Sequence, residues 1–227
     1  MCFSLQIDLD LKKLAKAFKA EVAQTEFEKF HHLRTLYPTK FKRPNENNQI
    51  YPNYFCPIIF KPNPNNDQSM IWPMRYRIRP HDSNAEIPSK FNVFNARLDS
   101  LELRSTWKNL FGKKHCLIPL YKFYEWVDYT GSKKLISFFP ENNELLIAPG
   151  LYDVWYDKEH DFHMHSFAII TTDPPEEIKE MKHDRCPVIL KEQFYNEWLS
   201  PNTLSVPQAR KLLKETRPIT FSHHFLN

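Results

Sequence analysis

The chain has 227 residues, a net charge of +4 and 41% hydrophobic residues, enough apolar material for one large domain or two small ones. It holds no run of 18 apolar residues and no basic N-terminal stretch leading into an apolar one, which argues against a transmembrane helix or a secretory signal and for the cytoplasm. Cys2, Cys56, Cys116 and Cys186 are scattered without a C-x-x-C pair, so neither a zinc knuckle nor a disulfide framework is expected, and the mild positive charge permits a nucleic-acid groove without demanding one.

In chain order, the spacing of Leu11, Leu14, Phe18 and Val22 predicts a helix over residues 8–30, with Asp8 or Asp10 as its cap. Residues 35–70 are rich in Pro and Asn and read as a loop-rich insertion around a short strand at "PIIF". From about residue 70 the chain turns strand-rich. Runs at 116–127, 145–155 and 165–172 carry the β-branched and aromatic residues that suit strands. Helical segments lie between and after them: "SLELRSTWKNLF", ending at Gly112, then "PPEEIKEM", "KEQFYNEWL" and "SVPQARKLLKET". Strands and helices mix without a βαβ rhythm, which predicts an α+β fold.

Four features carry chemistry. Cys2 follows the initiator Met1 directly; removal of Met1 leaves a residue with a free α-amine and a thiol, although a buried strand cysteine fits the same position. Asn95 and Arg97, two apart after "FNVF", share one face if the strand continues; a turn residue and a surface cation are the alternatives. Glu125 sits between Tyr124 and Trp126 in an apolar strand, where desolvation suits a carboxyl to acid–base work unless it alternates outward. His183 and Asp184 end a helix just before a strand, and His183 equally fits a C-cap. The "HDFHMH" segment offers His160, His163 and His165, but reads as a solvated hairpin edge, so no metal is expected.

Together these features resemble the SRAP family, the SOS-response-associated peptidases. The "MC" start matches, "PMRYRIRP" (73–80) resembles P-M-R-W-G-L-x-P, and "NARLDS" resembles N-A-R-x-E-T. "KKHCLIPLYKFYEW" resembles R-C-L-x-P-x-x-G-F-Y-E-W, and "APGLYDVW" resembles A-G-L-W-D-x-W. "FAIITTDPPEEIKEMKHDRCPVIL" resembles the family's segment ending in H-x-R-M-P-V-I-L. The resemblance implies one β-rich α+β domain over 1–227, with antiparallel and mixed sheets in a barrel-like core, flanking helices and a positive groove over the site. It implies a covalent link to abasic sites in single-stranded DNA: the Cys2 amine attacks the ring-opened sugar aldehyde, and its thiol closes a thiazolidine. Cys2, Asn95, Glu125 and His183 are then the active residues, Arg75, Arg77 and Arg97 face the DNA, and Tyr76 stacks on a base. It implies a monomer acting on abasic single-stranded DNA, with no cofactor and no membrane.

This chain departs from the family pattern at several places. Phe3 and Ser4 stand where "MCGR" carries Gly and Arg, and Tyr76-Arg77 replace Trp-Gly. Asp99 replaces the acid of N-A-R-x-E, Lys122 the Gly before "FYEW", and Cys186 the Met of H-x-R-M-P. Two other readings compete: a thiol peptidase using Cys2, and a non-covalent single-strand binding module that has no need of it.

Overall fold

The structure, a computed structural model, describes residues 3–63 and 66–226. The chain opens with β1 (Ser4–Ile7), α1 (Leu11–Phe18), β2 (Ala20–Val22), α2 (Gln24–Leu36), β3 (Gln49–Ile50), β4 (Phe55–Phe60), β5 (Ser69–Tyr76) and β6 (Asn95–Arg97). After α3 (Ser105–Lys108) come β7 (His115–Tyr129), β8 (Ser132–Pro140), β9 (Leu146–Asp157) and β10 (Phe162–Thr172). The remainder is α4 (Glu176–Lys179), β11 (Cys186–Pro187), α5 (Tyr195–Trp198), α6 (Val206–Lys214) and β12 (Phe221–Leu226).

Five strands close on themselves. β10 pairs parallel with β5, and β5–β4, β4–β7, β7–β9 and β9–β10 are antiparallel, completing a ring. Closure removes the exposed edges that an open sheet would present. The other strands extend from this barrel: β1 and β8 on the far half of β7, β3 on β1, β12 on β8, and β6 and β11 on the end of β10. This is the β-rich α+β architecture expected from the sequence.

The barrel is buried on both faces. In β4 every residue is buried, with Ile58 and Phe60 in one apolar cluster and Ile59 in the other. Alternation sends neighbours to opposite faces. One cluster fills the barrel around Met74, Ile118 and Phe167, and the other packs outside it around Trp107, Trp198 and Leu213. Gly150 marks where β7, β9 and β10 pack closest. A Cβ there would lie 2.4 Å from Ile118 Cδ1 and 2.7 Å from the Ala168 carbonyl oxygen.

Two expected helices are broken. The 8–30 helix ends at Phe18, because Lys19 takes a left-handed conformation (φ 48°) and Ala20–Val22 then pair in parallel with β5. Asp10, rather than Asp8, caps α1 by accepting from the Lys13 N–H. The expected 100–111 helix shrinks to a short 3-10 turn at Leu98–Ser100 and the single turn of α3, although Gly112 does hold a positive φ of 80° behind it.

His115 ties β7 to α5. Its Nδ1 bonds the Trp198 carbonyl at 2.9 Å, its Nε2 accepts the Gly112 N–H at 2.9 Å, and its ring stacks on Trp198 at 3.7 Å. Both nitrogens are thus used by the neutral tautomer. Burial pushes the pKa of His115 down to about 4, and burial likewise pushes His165 down to about 4. The unfolded chain therefore binds these protons first, near pH 6.5. Stability is full above that pH and falls as the pH drops from 6.5 toward 4, by on the order of 3 kcal/mol for each histidine. Denaturant titrations at pH 7.5 and 4.5 are expected to show this loss; equal midpoints would contradict it.

Candidate active site

Glu125 and His183 meet although they lie on distant segments. Glu125 is on β7, in the stretch that leaves the barrel to pair with β8, and His183 is in the turn between α4 and β11. His183 Nε2 lies 3.2 Å from Glu125 Oε2, and their side chains are only 8% and 3% exposed. His183 Nδ1 bonds the Arg185 carbonyl at 2.8 Å. When Nδ1 donates to that carbonyl, Nε2 faces the carboxyl oxygen, so an acid and an imidazole stand within hydrogen-bond reach of one another. That is the arrangement a proton shuttle needs.

The N-terminal strand approaches the same place. The Phe3 N–H donates to the Tyr124 carbonyl at 2.9 Å, and Ser4 pairs with Tyr124, the residue before Glu125. Cys2 itself lies outside the described residues, one peptide bond beyond this anchor. The other three cysteines are buried. Burial raises the thiols of Cys56 and Cys116 well above the usual range and, with help from Asp173 and Glu177, pushes Cys186 up to about 12. All three stay protonated and unreactive at neutral pH.

Asn95 and Arg97 do lie on one strand. β6 runs parallel to β10, with Asn95 beside Ile169 and Arg97 beside Thr171. Asn95 is buried and Arg97 exposed. Arg97 pairs with Asp99, and Arg185, on the far side of β10, reaches Asp99 at 3.8 Å and Asp173 at 3.1 Å. Arg97 and Arg185 thus meet on Asp99, and the Arg185 backbone carbonyl ties that cluster to His183. Arg185 escaped the sequence reading. Its signal was its place two residues after His183, because only the fold shows its carbonyl holding the imidazole.

The segment 75–77 corrects the expectation of DNA contacts. Tyr76 has 0% exposure, packs on Phe94 and stacks on Phe167, so it offers no face to a base. The strand is buried on both sides there, and no outward position exists for the ring. Arg75 forms a two-pronged ion pair with Glu86, which Arg79 also holds. Arg77 donates to the Ile87 and Pro88 carbonyls and adopts φ 135°, a region that favours glycine. These arginines are largely buried and fasten the 80–92 loop to the barrel.

Among the described residues, His160 is the one hairpin histidine that joins a ligand-like group, with Asp157 and Glu159. The Lys40 ammonium lies 3.0 Å from Asp157 Oδ2 and 3.0 Å from His160 Nδ1, supplying the positive charge there. No helix among the described residues is long and apolar enough to cross a membrane.

A closed β-barrel whose β7 carries a buried carboxyl against an imidazole, next to the start of β1, defines a barrel protein with a candidate acid–base site. The family model for the SOS response associated peptidase (SRAP) matches residues 1–224, and the chain belongs to that family. It is 32% identical over 124 residues to the abasic site processing protein YoaM of Bacillus subtilis (strain 168), an alignment covering 54% of each chain. It is 27% identical over 214 residues to the abasic site processing protein HMCES of Pongo abelii, covering 81% of this chain and 59% of that one. The chain thus spans little more than half the length of these curated relatives. A crystal structure of a Bacteroides thetaiotaomicron protein superposes with a TM-score of 0.72 at 21% identity, covering 100% of this chain and 92% of that one.

Proposed function

We propose that this protein processes abasic sites in single-stranded DNA by joining itself to the ring-opened sugar through Cys2. The observation that carries the reading is the buried Glu125–His183 pair beside the anchored start of β1. With Met1 removed, the Cys2 α-amine, with a reference pKa near 8, is partly neutral at neutral pH. It adds to the aldehyde carbon, and loss of water gives an imine. The thiol sulfur then adds to the imine carbon, and its proton passes to nitrogen, closing a five-membered ring. The sum is aldehyde plus aminothiol giving thiazolidine plus water.

Each proton move in this sequence has a group to serve it. His183 protonates the sugar oxygen as the ring opens, Glu125 carries protons between oxygen and nitrogen, and Asn95 orients the sugar. Arg97 and Arg185 face the flanking phosphates. The test is a denaturing gel of the protein with abasic and intact oligonucleotides of one sequence. A heat-stable shifted band with the abasic strand alone is expected. Its absence, or cleavage of a peptide with no DNA adduct, would overturn the reading.

A further inference from the structure

A cavity of about 550 Å³ lies between α2, the 43–48 loop and the strands β4 and β5, and no residue of the Glu125–His183 site lines it. Its volume falls in the roughly 300–1,000 Å³ range of small-molecule sites. One wall is α2. Phe27, Phe30, His31 and Arg34 recur at the spacing that puts four side chains on one helix face. Phe30 meets Phe55 of β4 at 4.9 Å, which carries the aromatic surface onto the floor. Pro57 of β4 and Pro73 of β5 face each other there in antiparallel register. Neither has an N–H, so this part of the floor presents apolar rings and lacks two backbone donors.

Cations stand beside this apolar surface. Arg34 lies one turn beyond Phe30 on α2, and Arg43 lines the cavity from the loop. Arg75, Arg79, Arg97, Arg185, Arg210 and Arg217 each hold a carboxylate, whereas Arg34 and Arg43 form no ion pair among the described residues. Glu46 is the one acid in the lining, and the two guanidiniums outweigh it. A guanidinium is a planar fork that takes a carboxylate in two parallel hydrogen bonds. The floor favours an aliphatic tail over a heterocycle, whose polar atoms would lose water there without gaining donors.

We propose that this cavity binds a small amphipathic carboxylate, its aliphatic tail against Phe27, Phe30, Phe55 and the two prolines and its head group on Arg34 and Arg43. It is a ligand site separate from the DNA chemistry, and it stands whether or not the reading above does.

The test is calorimetric titration of the full chain, without DNA, with dodecanoate kept below its micelle concentration. Saturable one-to-one binding is expected. Shortening the tail to decanoate and then octanoate should weaken it by about fourfold per CH₂ removed, the worth of one buried methylene. This reads burial of the tail without disturbing the core aromatics. Dodecyltrimethylammonium, with the same tail and the opposite charge, should bind far more weakly. Arg34→Ala and Arg43→Ala are each expected to weaken dodecanoate binding by roughly 10- to 100-fold, the loss of one hydrogen bond to a charged group. Glu46→Gln should tighten it by removing the competing charge. Arg104→Ala, at an exposed arginine outside the lining, should bind as the parent does. Thermal unfolding of each variant separates a lost contact from a lost fold. Absence of dodecanoate binding, equal affinity for the cationic amphiphile, or parental affinity in a folded Arg34→Ala/Arg43→Ala double variant would each overturn the proposal. None of these results would alter the abasic gel assay.

Discussion

Cys2→Ala protein is expected to give no heat-stable adduct with abasic single-stranded DNA, under conditions where the parent gives a clear one. The amine alone can form an imine, but without the sulfur no ring closes, and an imine reverts in water. The other cysteines cannot substitute, because burial holds the thiols of Cys56, Cys116 and Cys186 protonated. A second variant separates the two halves of the aminothiol. A residue placed before Cys2 turns its amine into an amide, which cannot form an imine, while the thiol survives. Crosslinking should vanish, and alkylation of that thiol should persist. The readout is crosslink yield, with mass spectrometry fixing each N-terminus. Full yield from the extended protein would exclude attack by the amine and favour a mechanism through sulfur alone.

Glu125→Gln and His183→Ala are expected to slow crosslinking by roughly 10²–10⁴-fold, the usual worth of a general acid or base. Gln keeps the size of Glu and loses only the ability to carry the proton. The two groups touch at 3.2 Å, so their losses should not add: a double variant is expected to be little slower than the worse single one. Affinity for intact strands should hold in Glu125→Gln, since the carboxyl neutralises no phosphate. Single-turnover rates at saturating DNA measure the first claim and anisotropy the second. Parental rates in both single variants would return the pair to a structural role.

Much of the fold was legible because local pattern and burial agree. The apolar runs of β4, β7, β9 and β10 are too rich in β-branched and aromatic residues to be anything but buried strands. Ser205 and Gln208 close the capping box that starts α6 where the sequence places it. Glu125, in an apolar strand, was visible as a desolvated carboxyl, and it is 2% exposed. What failed was wherever a distant segment outweighed local preference. The 8–30 pattern is helical by spacing, yet the edge of β5 draws Ala20–Val22 into a strand. Tyr76 reads as a surface ring because its neighbours are arginines, but those arginines spend their charge on Glu86 and on loop carbonyls.

By itself, then, the sequence determined the long strands of the barrel, placed Cys2 directly behind Met1, and singled out Glu125 and His183 as candidates. Only the tertiary structure decided who meets whom. A period-2 pattern assigns faces but cannot say which face is solvent when both are buried, as in the barrel. Nor can it bring His183 to Glu125. That contact exists because closure of β7, β9 and β10 into one ring sets the turn before β11 against the outgoing half of β7.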